Sequence, residues 1–271
     1  MKNLSRLLLL FFLFAPSFLF SQDEEDWDVY LATYDEGPGA TTVRMDLINV
    51  APLKGYPFII IAGVKYEPDE HGFPLKPMDD LHLIEDSLTS ALSTKEAILA
   101  GAFTHQGERL SYFYVKDTFE IRSLLEKKYL SDFPNIKYPP LRIEDDKEWG
   151  AYLTFLYPNE DIQNYMGDQA VLEHLESVGD DMTTPRQLDH WVYFATEADG
   201  KEFIKEIKTE GFQVVGINKL DEGELPFQLQ FKKESNIDLD SVYELTTHLR
   251  LLAKKYNGDY DGWETFIVKK E

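Results

Sequence analysis

Thr184-Pro185-Arg186-Gln187-Leu188-Asp189-His190-Trp191-Val192-Tyr193-Phe194 decides how the second half of this chain folds. Pro185 fixes its own φ and gives the stretch a stiff start. Beyond it Leu188, His190, Val192 and Phe194 point one way and Asp189, Trp191 and Tyr193 the other, the period of a strand. Both sides carry large groups, which predicts an interior strand over Leu188–Ala195, covered on at least one face. Outward from it, Phe203, Ile204 and Ile207 mark a helix from Asp199 to Glu210, stopped by Gly211. Phe212–Ile217 and Phe227–Phe231 read as two strands. Val242, Leu245, Leu249 and Leu252 line one face of a long helix from Leu239 to Tyr256. Asn257-Gly258 ends that helix, and Trp263–Val268 reads as a last strand. A helix over Ile162–Val178, or two short ones, leads in. The order βαββαβ is the ferredoxin-like plan, an antiparallel sheet with both helices on one face.

The first half is read in the same way. Trp27–Ala32 is a strand, Gly37-Pro38-Gly39 a turn, Thr41–Leu47 a second strand, and Tyr56–Val64 a buried strand of β-branched bias. Asp79 or Asp80 caps a helix reaching Leu92, with Leu81, Ile84, Leu88 and Leu92 on one face. Ile98–His105 and Arg109–Val115 flank Gln106-Gly107, a hairpin signal. A helix from Thr118 to Tyr129, an edge segment at Tyr138–Ile143 and a strand over Trp149–Tyr157 complete a second α+β unit. The boundary is placed at Pro158–Asp161, giving domains at 23–158 and 160–271.

Lys2 and Arg6 precede an apolar run from Leu7 to Phe20, broken at Pro16 and Ser17, with Ser21 before acidic residues. The run is short of the ~20 apolar residues that span a bilayer. It reads as a signal peptide over residues 1–21, cleaved near Ser21–Gln22, and the expected location is periplasmic or extracellular. No later segment is apolar enough to span a bilayer, so no stable membrane insertion is expected after cleavage. The chain has no cysteine, hence neither disulfides nor a thiolate nucleophile. With 27 basic and 49 acidic residues the formal charge is −22, and −24 once Lys2 and Arg6 leave with the leader. Such a field repels phosphate backbones, which excludes a general nucleic-acid binder and favours a basic partner.

Three segments together carry a resemblance: Thr184–Phe194, Glu210-Gly211-Phe212-Gln213-Val214 and Gly258-Asp259-Tyr260-Asp261-Gly262-Trp263-Glu264. Over roughly Ile162–Lys270 the chain resembles the regulator of ribonuclease activity B family, inhibitors of ribonuclease E. The closing Tyr-Asp-Gly-Trp is the most specific piece. Leu83–Leu88 and Thr104–Arg109 make the first half similar to a bacterial family of unknown function, six-nine-five. The first resemblance implies a non-catalytic protein that binds another protein. An exported chain departs from it, because the ribonuclease is cytoplasmic. Were the start codon misjudged and the apolar run no signal peptide, the resemblance would instead imply a cytoplasmic regulator of ribonuclease activity.

Catalytic and metal chemistry find little support. Asn257–Gly262 opens like a calcium loop, but the bidentate glutamate expected six residues beyond Gly262 is Val268. Asn257-Gly258 as a helix cap and Asp261-Gly262 as a turn explain the same residues. The six histidines show no i, i+4 pair of the zinc-enzyme kind. His190 is expected in the core. Glu85-Asp86 diverge around their helix as a solvated pair, and Ser87 and Ser111 lie in no nucleophile elbow. No cofactor and no enzymatic activity are expected. Partner-binding candidates are Arg186, Trp191, Tyr193, Asp259, Asp261 and Trp263; for Arg186 a structural ion pair with Asp180, Asp181 or Asp189 is the competing role. The alternative class is a hydrolase or small-ligand-binding protein with its site between the two domains.

Overall fold

The computed structural model describes residues 25–76 and 78–269; the leader expected at 1–21 lies outside them. Two α+β domains follow one another. In the first, β1 (Trp27–Tyr34) and β2 (Gly37–Arg44) pair antiparallel from Trp27↔Arg44 to Tyr34↔Gly37. The reversal is therefore at Asp35-Glu36, not at the expected Gly37-Pro38-Gly39, which belongs to β2. Gly39 answers a packing need: a Cβ there would lie 2.7 Å from the Phe103 ring. Leu47 leaves the strand for a 3₁₀ turn, Met45–Asn49. β3 (Phe58–Lys65), α1 (Asp79–Ser93), β4 (Ile98–His105), β5 (Glu108–Val115), α2 (Ile121–Asp132) and β6 (Arg142–Asp145) complete an antiparallel sheet of order β1-β2-β4-β5-β3-β6.

The pleat of this sheet divides its core in two. Ile60, Ala62, Phe113 and Val115 meet α1 and α2 on one face, through Leu81, Ile84, Leu88, Leu92, Ile121 and Leu125. Each of these side chains larger than Ala62, taken fully from water, contributes about 1.5–3 kcal/mol before entropy is counted. Ile59, Ile61, Tyr112 and Tyr114 meet Trp149, Tyr152 and Leu156 on the other.

The last three do not lie on a strand, as Trp149–Tyr157 was expected to. Ala151–Leu156 is a π-helical turn, closed by Tyr157 N–H donating to the Tyr152 carbonyl at 2.8 Å. The Asp146 carboxylate starts it, accepting from the amides of Gly150 (2.7 Å) and Ala151 (3.0 Å) and from the Tyr114 hydroxyl (2.7 Å). A run with one polar residue, Thr154, barely marks its period, and here the buried residues fall at the i, i+3, i+7 spacing of a helix.

α3 (Glu160–Ser177) is a single helix, capped by the Asn159 side chain accepting from Ile162 N–H. Ile162 and Met166 pack onto the first domain's core, whereas Leu172 and Leu175 belong to a cluster of the second domain with Leu188, Ile237 and Val242. One helix thus serves both cores.

The second domain comprises β7 (Arg186–Phe194), α4 (Glu197–Thr209), β8 (Gln213–Lys219), β9 (Phe227–Ser235), α5 (Leu239–Lys255) and β10 (Gly258–Glu264). The order β10-β7-β9-β8, antiparallel throughout, is ferredoxin-like. Leu188, His190, Val192 and Phe194 are buried, as their alternation predicts, and α4 and α5 cover that face with Phe203, Ile207, Leu249 and Leu252. β10 starts five residues before the expected Trp263 because Asn257, at φ 54°, reverses the chain at once. Gly258 then pairs with Phe194, where a Cβ would stand 2.5 Å from the phenyl ring. Asp261-Gly262 is a bulge inside β10 rather than a turn before it.

Candidate functional site

The helix-free face of the second sheet can be read rung by rung from its register. Glu264, Asp189, Lys232 and Gln213 form one row across β10, β7, β9 and β8; Gly262, Trp191, Gln230 and Gly216 the next; Asp259, Tyr193, Gln228 and Asn218 the third. Trp191 and Tyr193 are partly exposed on this face. The glutamines hold the polar side chains still. Gln228 donates to the Tyr193 hydroxyl at 2.6 Å, and Gln187 and Gln230 donate to the Asp189 carboxylate at 2.6 and 3.4 Å.

Along the bulged β10 edge this face meets α3 in an open cleft of about 560 Å³, whose walls include Trp191, Tyr193, Asp261, Trp263 and Glu264. Asp168 organises its floor. The carboxylate, 3% exposed, accepts from the Trp263 indole at 2.9 Å and from the Thr246 hydroxyl at 2.5 Å, with the Arg250 guanidinium 3.6 Å away. Arg250 lies over the Tyr260 ring, 5.3 Å from its centroid, and donates to Thr246 Oγ1 at 3.0 Å. Sequence reading missed Asp168 and Arg250. Both sit on helices whose polar positions look like ordinary solvated faces until the helices are packed together.

The candidate residues fall into two groups. Trp191, Tyr193, Asp259 and Asp261 are on the open face. Trp263 borders the cleft but is tied down by Asp168 and packs against the cluster around Leu172 and Leu188. Arg186 is 3% exposed and lies in a closed network away from that face. It donates to both Asp180 oxygens at 2.7 and 2.6 Å, to the Phe266 carbonyl at 2.9 Å and to the Asp181 carbonyl at 2.6 Å. Asp180 also accepts from Val268 N–H at 3.0 Å, so the pair staples residues 266–268 to the loop before β7. Hydrogen bonding from Arg186 holds the Asp180 carboxyl below its ordinary range.

His190 is fully buried, its Nδ1 2.9 Å from the Tyr260 hydroxyl and its ring stacked on Phe231. Burial lowers its pKa to about 4, against a smaller upward pull from Asp189. Among the described residues no group of three or more His, Cys, Asp or Glu could hold a metal ion.

In the first domain the two quoted motifs meet in space. Glu85 on α1 accepts from Ser111 Oγ at 2.7 Å and from Arg109 at 3.3 Å, and Arg109, 2% exposed, also donates to Thr104 at 2.8 Å. Asp86 is exposed. Glu85 is thereby a partner for a buried cation rather than half of a solvated pair. Between the domains lies a groove of about 280 Å³ bordered by Leu31, Thr33, Asp161, Tyr165 and Tyr243, with one carboxylate and no histidine.

Residues 166–265 match the family described as Regulator of ribonuclease activity B. Residues 25–157 match a Family of unknown function (DUF695). The two matches map onto the two sheets in turn, and the first is to a regulator, in keeping with a non-enzymatic chain. No curated protein matches. Among solved structures, the crystal structure of an unknown protein from Galdieria sulphuraria is similar at 13% identity, over 78% of this chain and 99% of that one, with a TM-score of 0.24. No described helix is long and apolar enough to cross a membrane.

Proposed function

We propose that this chain is an exported, non-catalytic protein-binding module whose partner surface is the open face of the second sheet with its β10 cleft. The observation that carries the reading is Trp191 and Tyr193, two large aromatics on one open sheet face, partly exposed, with the Tyr193 hydroxyl held by Gln228 and the Trp191 indole left without an acceptor. Partly desolvated aromatics at the centre of a polar surface are what binding hot spots are made of. The family matched by the second domain supports the same class of role. Export rests on the basic, apolar and polar succession of residues 1–25 alone.

The test uses the mature protein immobilised against envelope extract, with Trp191→Ala beside the wild type. Trp191→Ala is a cleaner probe than Trp263→Ala, since Trp263 also holds Asp168. The expected result is a saturable partner whose retention falls at least tenfold in the variant while the thermal midpoint is unchanged. Equal retention by both proteins would remove the partner surface from this face. Cell fractionation that finds full-length chain in the cytoplasm would end the exported reading and favour a cytoplasmic regulator.

A further inference from the structure

Three of the four tryptophans donate their indole N–H: Trp27 to Glu25, Trp149 to the Tyr56 carbonyl and Trp263 to Asp168. Trp191 has no acceptor and no ring neighbour among the described residues. The β10 edge beside it shows the same lack. Asp259, Asp261 and Glu264 are exposed, and none has a hydrogen bond or salt bridge from its side chain among the described residues. Elsewhere the acidic groups are commonly paired, as Glu206 is with Lys255, Glu160 with Lys254 and Glu197 with Lys201. Within the cleft Asp168, Asp261 and Glu264 face a single guanidinium, Arg250, which is already committed to Thr246 and Asp168. Lys232, two strands in from β10, is the one cation in the three rows of the open face.

An aromatic face bordered by unpaired carboxylates has a specific chemical complement. A guanidinium can stack flat on the indole while its N–H fork reaches a carboxylate beside the ring, and an ammonium cannot match both demands at once. We propose that the β10 cleft takes an arginine of an extended basic segment, the guanidinium on Trp191 and its donors on Asp261 and Glu264. This rests on the partner-binding reading and names the chemistry of the partner. The mature chain's formal charge, −22 less the two positive charges of Lys2 and Arg6, would draw such a segment in from a distance, and the cleft would select arginine within it.

The probe is a fluorescein-labelled hexa-arginine peptide titrated into the mature protein at roughly physiological salt, where exposed charges beyond ~8 Å are screened. Saturable binding is expected, stronger than for hexa-lysine, with none for hexa-glutamate. Trp191→Ala and the double substitution Asp261→Asn, Glu264→Gln should each weaken it about tenfold. If Trp191→Ala folds poorly, Trp191→Phe assigns the Trp191 indole resonance in the wild-type spectrum, and that signal must then move on addition of peptide. Unchanged affinity in the variants, or shifts confined to another acidic surface, would overturn the proposal in favour of diffuse attraction. Partner capture that depends on Trp191 but is not competed by hexa-arginine would also overturn it while leaving the binding-module reading intact. Capture indifferent to Trp191 would remove that reading itself.

Discussion

His190 is a histidine that must stay neutral. Its Nε2 has no hydrogen-bond partner among the described residues, and Lys233, facing it from β9, adds to the cost of charging it. With a folded pKa of about 4 against 6.5 when unfolded, the unfolded state binds more protons between those values. Stability is therefore fully present above about pH 6.5 and declines as pH falls toward 4, by about 3 kcal/mol in all. His190→Phe should flatten urea-unfolding stability across that window, at the expense of the Tyr260 hydroxyl's partner. Asp180 acts lower: its stabilising contribution is present above 3.8 and is lost below it. Arg186→Met would strand the buried Asp180 charge and lower unfolding free energy by about 3–5 kcal/mol. The double substitution Asp180→Leu, Arg186→Met should recover much of that loss, which chemical denaturation can read directly.

At the scale of elements, the π-helical turn depends on a single side chain. Asp146→Ala removes acceptors from Gly150, Ala151 and the Tyr114 hydroxyl together, and should destabilise the first domain by about 2–4 kcal/mol. Trp149 stacks on Tyr114 at 3.8 Å, so its fluorescence should report the change. This turn is also where sequence reading failed, and the reason is physical. Trp149–Tyr157 offers Thr154 alone as a polar mark, too little to decide between the two periods, and the capping carboxylate lies three residues before the run. The alternation of β7, by contrast, has a polar group at Asp189 and fixes its faces, so strand, neighbours and the ferredoxin-like order were all legible. For the site, Trp191 and Tyr193 could be named from that alternation. Asp168 and Arg250 could not, because only the packing of α3 against α5 brings them to β10.

For the molecule as a whole, the position of α3 matters most. Ile162 and Met166 complete the first core, yet they lie beyond the end of the first family match at residue 157. A chain cut after residue 158 should therefore melt at a lower temperature than one extended to residue 177. The deficit should be about 2 kcal/mol, the scale of two partly buried apolar side chains. Equal thermal midpoints would show that the first core closes without α3. The net charge has a second effect at this scale. Self-repulsion should lower the melting temperature at low ionic strength, and salt up to about 0.15 M should raise it.

A helix whose two halves answer to different cores also constrains how the chain can be inherited. Recombination that joined either sheet to a new neighbour between residues 162 and 172 would separate Ile162 from Leu172 and leave one core unsealed. Viable shuffling of these two modules would have to carry α3 whole and preserve both of its faces. The pair would then descend as one unit, although neither sheet shares a strand with the other.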